Sequence, residues 1–213
     1  MDIIKDVKDK YIKDDLALVV GVDEVGRGCL FGGVVACAVV LPYHRAYLLD
    51  EIGVKDSKKL TAKQRLVKIS AIQSIVSDWC IAEVDNHTID KINIHHASLL
   101  AMKNAIEGLS VSPSLCLIDG KFIVPNLAYP QVSIVKGDDR SSIIASASIL
   151  AKVYRDEKIV SYHNQYPQYD LKNNKGYGTK KHLSALKKYG ITPHHRLSFS
   201  PCQEALISAT DFN

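Results

Sequence analysis

The chain has 213 residues, 46% of them hydrophobic and 23% charged, with a formal net charge of +4. That length and apolar content can bury one substantial core with a small appendage, and no apolar run reaches the roughly 20 residues that a membrane span requires. Five cysteines (Cys29, Cys37, Cys80, Cys116, Cys202) form no C-x-x-C pair and have no zinc-ligand spacing with the eight histidines. Together with a charged amino terminus, MDIIKDVKDKYIKDD, this points to a reducing, cytoplasmic setting.

Taken in chain order, residues 1–15 read as a polar lead-in. LALVVGVDE is an apolar, β-branched run that ends in acid, and GGVVACAVVLP beyond a glycine-rich turn reads as a second strand, with a hairpin as the natural connection. Residues 61–77 have helical spacing with Thr61 placed as an N-cap, and WCIAEVD reads as a third strand. Residues 88–109 suit a long helix, LCLID a short buried strand, QVSIVKGDD a further strand stopping in acid, and residues 141–162 another helix. Three early strands followed by strand and helix alternation favour one mixed α/β sheet, spanning residues 16–166, over two three-strand blocks. After Pro167 a polar loop, NNKGYG, a helix at 179–189 and a short tail containing PHHRLSFSP suggest a helical lobe over residues 167–213.

The small net charge does not identify a nucleic-acid binder, but its distribution is uneven. Residues 171–199 carry Lys172, Lys175, Lys180, Lys181, Lys187, Lys188 and Arg196 without one acid, and Lys55, Lys58, Lys59, Lys63 and Arg65 form an earlier group. Each group alone reads as an ordinary solvated helix face rather than a phosphate track. The acids are more telling, because Asp23-Glu24, Asp119 and Asp138 each stand at or just past the end of an apolar strand. If those strands are parallel neighbours, four carboxylates converge on one sheet edge and repel unless a cation joins them. Hard oxygen ligands select Mg²⁺ or Mn²⁺ over zinc. Asp119 alone, in DGK, reads as a turn residue, and Asp138 and Asp139 as N-caps of the following helix. Two acids closing so apolar a strand as the first need solvent or metal.

The segments GVDEVGRG, DSKKLT, LIDGK, VKGDDRSSIIASASILAKVYRD and KGYGTKKH, in this order and over nearly the whole chain, resemble type 2 ribonuclease H, ribonuclease HII. The resemblance implies a ribonuclease H-like mixed central sheet flanked by helices, with a small carboxyl-terminal helical lobe that binds substrate. It implies an endonuclease that cuts the phosphodiester 5′ of ribonucleotides, in RNA/DNA hybrids and embedded in duplex DNA, by two-metal-ion catalysis with Mg²⁺ or Mn²⁺. The products carry 3′-hydroxyl and 5′-phosphate ends, the setting is ribonucleotide excision repair, and a monomer is expected. Asp23, Glu24, Asp119 and Asp138 match the four metal-holding acids, whereas Asp139 is an extra acid beside them. Gly26, Arg27 and Gly28 match a segment that reads the 2′-hydroxyl largely through backbone groups, with the missing Cβ atoms allowing close approach to the sugar. Ser57, Lys58 and Lys59 resemble a stretch lining the phosphate backbone. Tyr177 matches the tyrosine that packs on the deoxyribose after the ribonucleotide, and His182 lies in the carboxyl-terminal binding segment, where it would steer substrate or product. Ser148, Lys152 and Asp156, four apart on one helical face, are expected beside the site, with Lys152 and Asp156 organising its surroundings. The chain departs from the family pattern in reading IASASILAKV where two alanines commonly precede SIL.

Overall fold

The computed structural model describes residues 10–12, 14–54 and 61–210. Its centre is one five-stranded sheet in the order β3-β2-β1-β4-β5. Strands β1 (Leu18–Val25), β2 (Val34–Pro42) and β3 (Asp78–Val84) run as an antiparallel meander, with Asp23 opposite Cys37 and Glu24 opposite Ala36. Strands β4 (Leu115–Asp119) and β5 (Gln131–Ile134) add to the other side of β1, both parallel to it. The condition set by the sequence is thereby met: the three strands that lead to acids are parallel neighbours, and their carboxyl ends share one edge.

The period-2 alternation of each strand sends successive side chains to opposite faces. Val19, Val35, Cys37, Val39, Leu41, Leu115 and Leu117 pack with helices α1 (Ala46–Glu51), α2 (Ala62–Ile75) and α5 (Ser142–Ser161). Val20, Val22, Ala36, Ala38, Val40, Cys116 and Ile118 pack on the other face against α3 (Asn86–Glu107). Strand β2 is covered on both faces, which is why VVACAVVL is continuous rather than alternating. A third cluster joins Leu30, Phe31 and Ile159 to Tyr169, Leu171, Ala185, Leu186, Cys202 and Ala205, so the carboxyl-terminal helices share a core with the β1–β2 connection.

Helix starts follow local chemistry. Thr61 accepts from Gln64 N while the Gln64 side chain takes the Thr61 amide, a capping box for α2. Asp85 caps α3 through Thr88 N, Ser141 caps α5 through Ile144 N, and Thr179 caps α7 (Lys180–Tyr189) through His182 N. The close approach of α5 to β1 depends on Gly21, where a Cβ would lie 2.6 Å from the Ile143 carbonyl carbon.

Three expectations are corrected. The strand expected across QVSIVKGDD stops at Ile134, because Lys136 takes left-handed angles (φ 55°) and Gly137–Arg140 forms a one-turn helix, α4. The helix expected over 88–109 begins at Asn86 and is broken at Asn93 (φ 64°), whose side chain re-caps the second half by accepting from His95 N and His96 N. Beyond a further turn, α6 (Leu171–Asn174), the expected tail forms a helix, α8 (Ser200–Thr210), with Pro201 in the first turn where its missing N–H leaves no bond unmade.

Candidate metal centre and nucleic-acid interface

Asp23 and Glu24 close β1, Asp119 closes β4, and one carboxylate oxygen from each of the three lies within 4.8 Å of the others. Asp138, carried by α4, is buried and lines the same cavity of about 540 Å³. Its placement depends on Gly137, whose amide donates to Asp119 Oδ1 at 2.6 Å and whose missing Cβ would stand 3.0 Å from that oxygen. Asp139 is exposed and does not line the cavity, and the N-cap of α5 is Ser141 rather than either acid. Arg65, Ser148, Lys152 and Tyr177 complete the wall that faces the acids.

These acids are held against their own charge. Burial first, then the charges of Asp119 and Glu24, raise the Asp23 carboxyl well above the usual range, although Ser148 hydrogen-bonds it. Glu24 and Asp119 are raised chiefly by burial as well, opposed by the Arg27 guanidinium in one case and the Gly137 amide in the other. Arg27 Nη1 donates to Glu24 Oε1 at 2.9 Å, and its own side chain is half-exposed. Clustered buried carboxylates that disfavour ionisation together are suited to a divalent cation, which removes both the repulsion and the desolvation penalty. The donor set is all oxygen, which favours a hard cation over zinc.

Beside the acids, residues 26–33 and 174–178 form a largely buried stretch of paired backbone, with Arg27, Gly28, Tyr177 and Gly178 exposed. Cys29 pairs with Tyr177 and Phe31 with His195 as isolated antiparallel bridges, and Leu30 N donates to Gly176 O at 2.8 Å. Two fully buried arginines fix this backbone. Arg155 donates to the carbonyls of Gly33, Lys175 and Phe31, and Arg196 to those of Gly32, Arg27 and Gly33. Burial lowers the Arg196 pKa to about 10, still well above neutrality.

Arg196 therefore leaves the basic group in which its sequence position put it. Gly26 has a reason other than sugar approach: it takes φ 94°, and a Cβ there would meet Arg155 Nε at 2.1 Å. Gly28 is exposed and its Cβ position is open. Tyr177 is 40% exposed at the cavity wall, with Lys152 Nζ 5.5 Å from its ring centroid and paired to Asp156 at 2.8 Å.

His182, expected among the nucleic-acid-binding residues, is 0% exposed and stands behind Tyr177, so it offers no surface to a substrate. Ser57, Lys58 and Lys59 lie outside the described residues. Lys172, Lys180, Lys181, Lys187 and Lys188 are exposed, with Lys181 paired to Asp170 at 3.2 Å. The parts that sequence reasoning missed are Arg155, Arg196 and His195. They stand in AKVYRDEK and PHHRLSFSP among other polar residues, so the local sequence did not mark them for burial.

A mixed sheet with acids gathered at its parallel edge defines a ribonuclease H fold with an acidic, metal-suited centre. A family model for ribonuclease HII matches residues 20–202. Ribonuclease HII of Trichormus variabilis is 51% identical over 189 residues, 89% of this chain and 84% of that protein, and that of Endomicrobium trichonymphae is 48% identical over 197 residues, 92% and 90%. Among solved structures, ribonuclease H2 from Pyrococcus horikoshii superposes with a TM-score of 0.77 at 27% identity, over 88% of this chain and 96% of that one. Bst-RNase HIII in complex with Mn²⁺ gives 0.66 at 20% identity, over 93% and 72%, which bears on the fold alone. The chain belongs to the ribonuclease HII family, metal-dependent endoribonucleases that act on nucleic acid. Among the described residues, no helix is long and apolar enough to cross a membrane.

Proposed function

We propose that this enzyme hydrolyses the phosphodiester on the 5′ side of a ribonucleotide, both in RNA/DNA hybrids and for single ribonucleotides embedded in duplex DNA. Asp23, Glu24, Asp119 and Asp138 hold two Mg²⁺ or Mn²⁺ ions for the purpose, and the products carry 3′-hydroxyl and 5′-phosphate ends. The observation that carries the reading is the placement of these acids in one cavity with Tyr177 on its wall and the Gly26–Arg27–Gly28 backbone alongside.

When bound, the metal supplies an activated water and neutralises charge at the scissile phosphate. The chain's own groups do the selecting. Backbone groups around Gly28 have no side chain between them and a sugar, so they can hydrogen-bond a 2′-hydroxyl. The Tyr177 ring packs on the next sugar, and a 2′-hydroxyl at that place meets the ring instead of open space. Lys152 and Arg65 face the acids across the cavity and offset phosphate charge. Exposed lysines of α7 contact phosphates without reading sequence.

Cleavage of four duplexes with product ends mapped tests the reading: one embedded ribonucleotide, a uniform hybrid, all-DNA and all-RNA. Cuts 5′ of the ribonucleotide in the first two, and none in the others, are expected. Cutting of the all-DNA duplex would instead indicate a DNA nuclease of the same fold.

A further inference from the structure

Behind Tyr177 lies a polar chain buried in an otherwise apolar and aromatic cluster. His182 Nδ1 is 2.9 Å from Tyr177 O, His182 Nε2 is 3.0 Å from His195 Nε2, and Thr192 N donates to His195 Nδ1 at 2.9 Å. A carbonyl can only accept and an amide N–H can only donate, so both ends of the chain fix its protons. His182 carries its proton on Nδ1 and gives it to Tyr177 O. His195 must then hold its proton on Nε2, donate it to His182 Nε2, and accept from Thr192 on Nδ1. With both rings neutral every nitrogen is satisfied; the Thr192 hydroxyl, 2.9 Å from His195 Nδ1, is a second partner there, and the Thr192 amide, which can only donate, is what holds that nitrogen unprotonated.

We infer that His182 and His195 are positioning residues for Tyr177: a tautomer-locked imidazole pair that sets where the ring of Tyr177 stands at the cavity wall. Both rings are 0% exposed. Tyr169 packs at 5.8 Å from the His182 ring and 4.9 Å from the His195 ring, with its hydroxyl tied to Gly190 O, and Phe31 meets His195 edge-on at 5.1 Å. The charged or titratable neighbours of the pair are Tyr169, His194 and the buried Arg196. None is an acid that would draw a proton onto the imidazoles, and burial lowers the pKa of both.

The far end of the relay is anchored to α3. Asn86 Nδ2 donates to Pro193 O at 2.9 Å and to His195 O at 3.3 Å, and the Asp90 carboxylate accepts from Leu197 N and Ser198 N. Tyr177 O also accepts from Thr179 N at 2.8 Å, so its peptide plane is held from two directions while its ring faces the acids. Position of the ring is thus referred to α3 through a run of side chains and backbone groups, without any of the histidines touching substrate.

The inference rests on the proposed junction-reading role of Tyr177. Its test compares wild type with His182→Leu, His195→Leu, His195→Gln and Tyr177→Ala, in fully folded protein checked by Mn²⁺ titration and thermal melting. The readout is the ratio of kcat/KM on an RNA-to-DNA junction to that on a uniform hybrid. Both leucine variants should lower the ratio about tenfold, equivalent to about 1.4 kcal/mol. His195→Gln, which keeps an N–H donor at the Nε2 position, should recover most of it. Nitrogen NMR of the wild type should show His182 protonated on Nδ1 and His195 on Nε2. An unchanged ratio in Tyr177→Ala overturns the junction role and this extension with it. A lowered ratio in Tyr177→Ala but not in His182→Leu overturns the relay alone. If the leucine variants do not fold, His195→Gln and the wild-type spectrum decide, and the opposite tautomers would overturn the inference.

Discussion

At the scale of single residues, the acids are placed at a cost that their ligand removes. Asp23 is buried with Glu24 and Asp119 beside it, and its raised carboxyl means the metal-free fold binds more protons than the unfolded chain above the ordinary aspartate pKa. Stability from this group is therefore present at low pH and lost as pH rises. Asp23→Asn should stabilise the metal-free protein at neutral pH by on the order of 1 kcal/mol, roughly 2–4 °C in Tm for a chain of this size, and should abolish both cleavage and the melting shift given by Mg²⁺. Differential scanning calorimetry with and without metal checks both parts. Tyr177→Ala should reduce discrimination between junction and uniform hybrid more than it reduces affinity, read as kcat/KM on each against Kd.

The residues also mark the limits of sequence reading. Asp23, Glu24 and Asp119 were legible because two acids ending an apolar strand, and a third ending its neighbour, sit together stably only with solvent or a cation among them. Asp138 against Asp139 was legible only through the family resemblance, since adjacent acids on a one-turn helix point to different sides and spacing alone does not say which enters the cavity. His182 was not legible: a histidine in a lysine-rich segment looks like a binding residue until its ring is found buried against His195.

Among the elements, the sheet carries the site and α5 presses on it. Gly21→Ala places a Cβ 2.6 Å from α5 backbone, so either strand or helix must shift; a loss of about 1–3 kcal/mol in denaturant unfolding is expected, the range for overpacked cores. Because α5 brings Ser148 and Lys152 to the cavity, activity should fall along with stability. The hairpin and a single mixed sheet were readable from apolar runs and the switch to strand–helix alternation, whereas strand order was not and the parallel edge stood only as a condition. The break at Asn93 and the bounds of α8 were hidden, one because an asparagine re-caps in the middle of good helical spacing, the other because the tail was read only as part of a helical lobe, without its proline placed in a first turn.

For the whole molecule, the carboxyl-terminal helices and the β1–β2 connection form one core, stitched by Arg155, Arg196 and the histidine pair. The arginine contacts join segments far apart in the chain, which is why periodicity and spacing gave no sign of them. The histidines also give the fold an acid limit. His195, lowered to about 3 by burial first and by the charge of His182 second, takes up its proton readily only when unfolded. Its contribution to stability is complete above the ordinary histidine pKa and declines below it, by at most about 1.4 kcal/mol per pH unit for one such group. Melting of wild type and His195→Gln between pH 7 and pH 4 should converge as the pH falls. Binding of a hybrid should weaken steeply with salt, as expected when exposed lysines displace counterions from phosphates; a flat response would contradict a basic binding face.

Where the cation sits matters most. Anomalous diffraction from crystals soaked in Mn²⁺ with a ribonucleotide-containing duplex should show two peaks bounded by Asp23, Glu24, Asp119 and Asp138, with Asp139 turned away. Peaks elsewhere, a single peak held through Asp139, or no peak at the end of β1 would contradict a four-carboxylate metal centre.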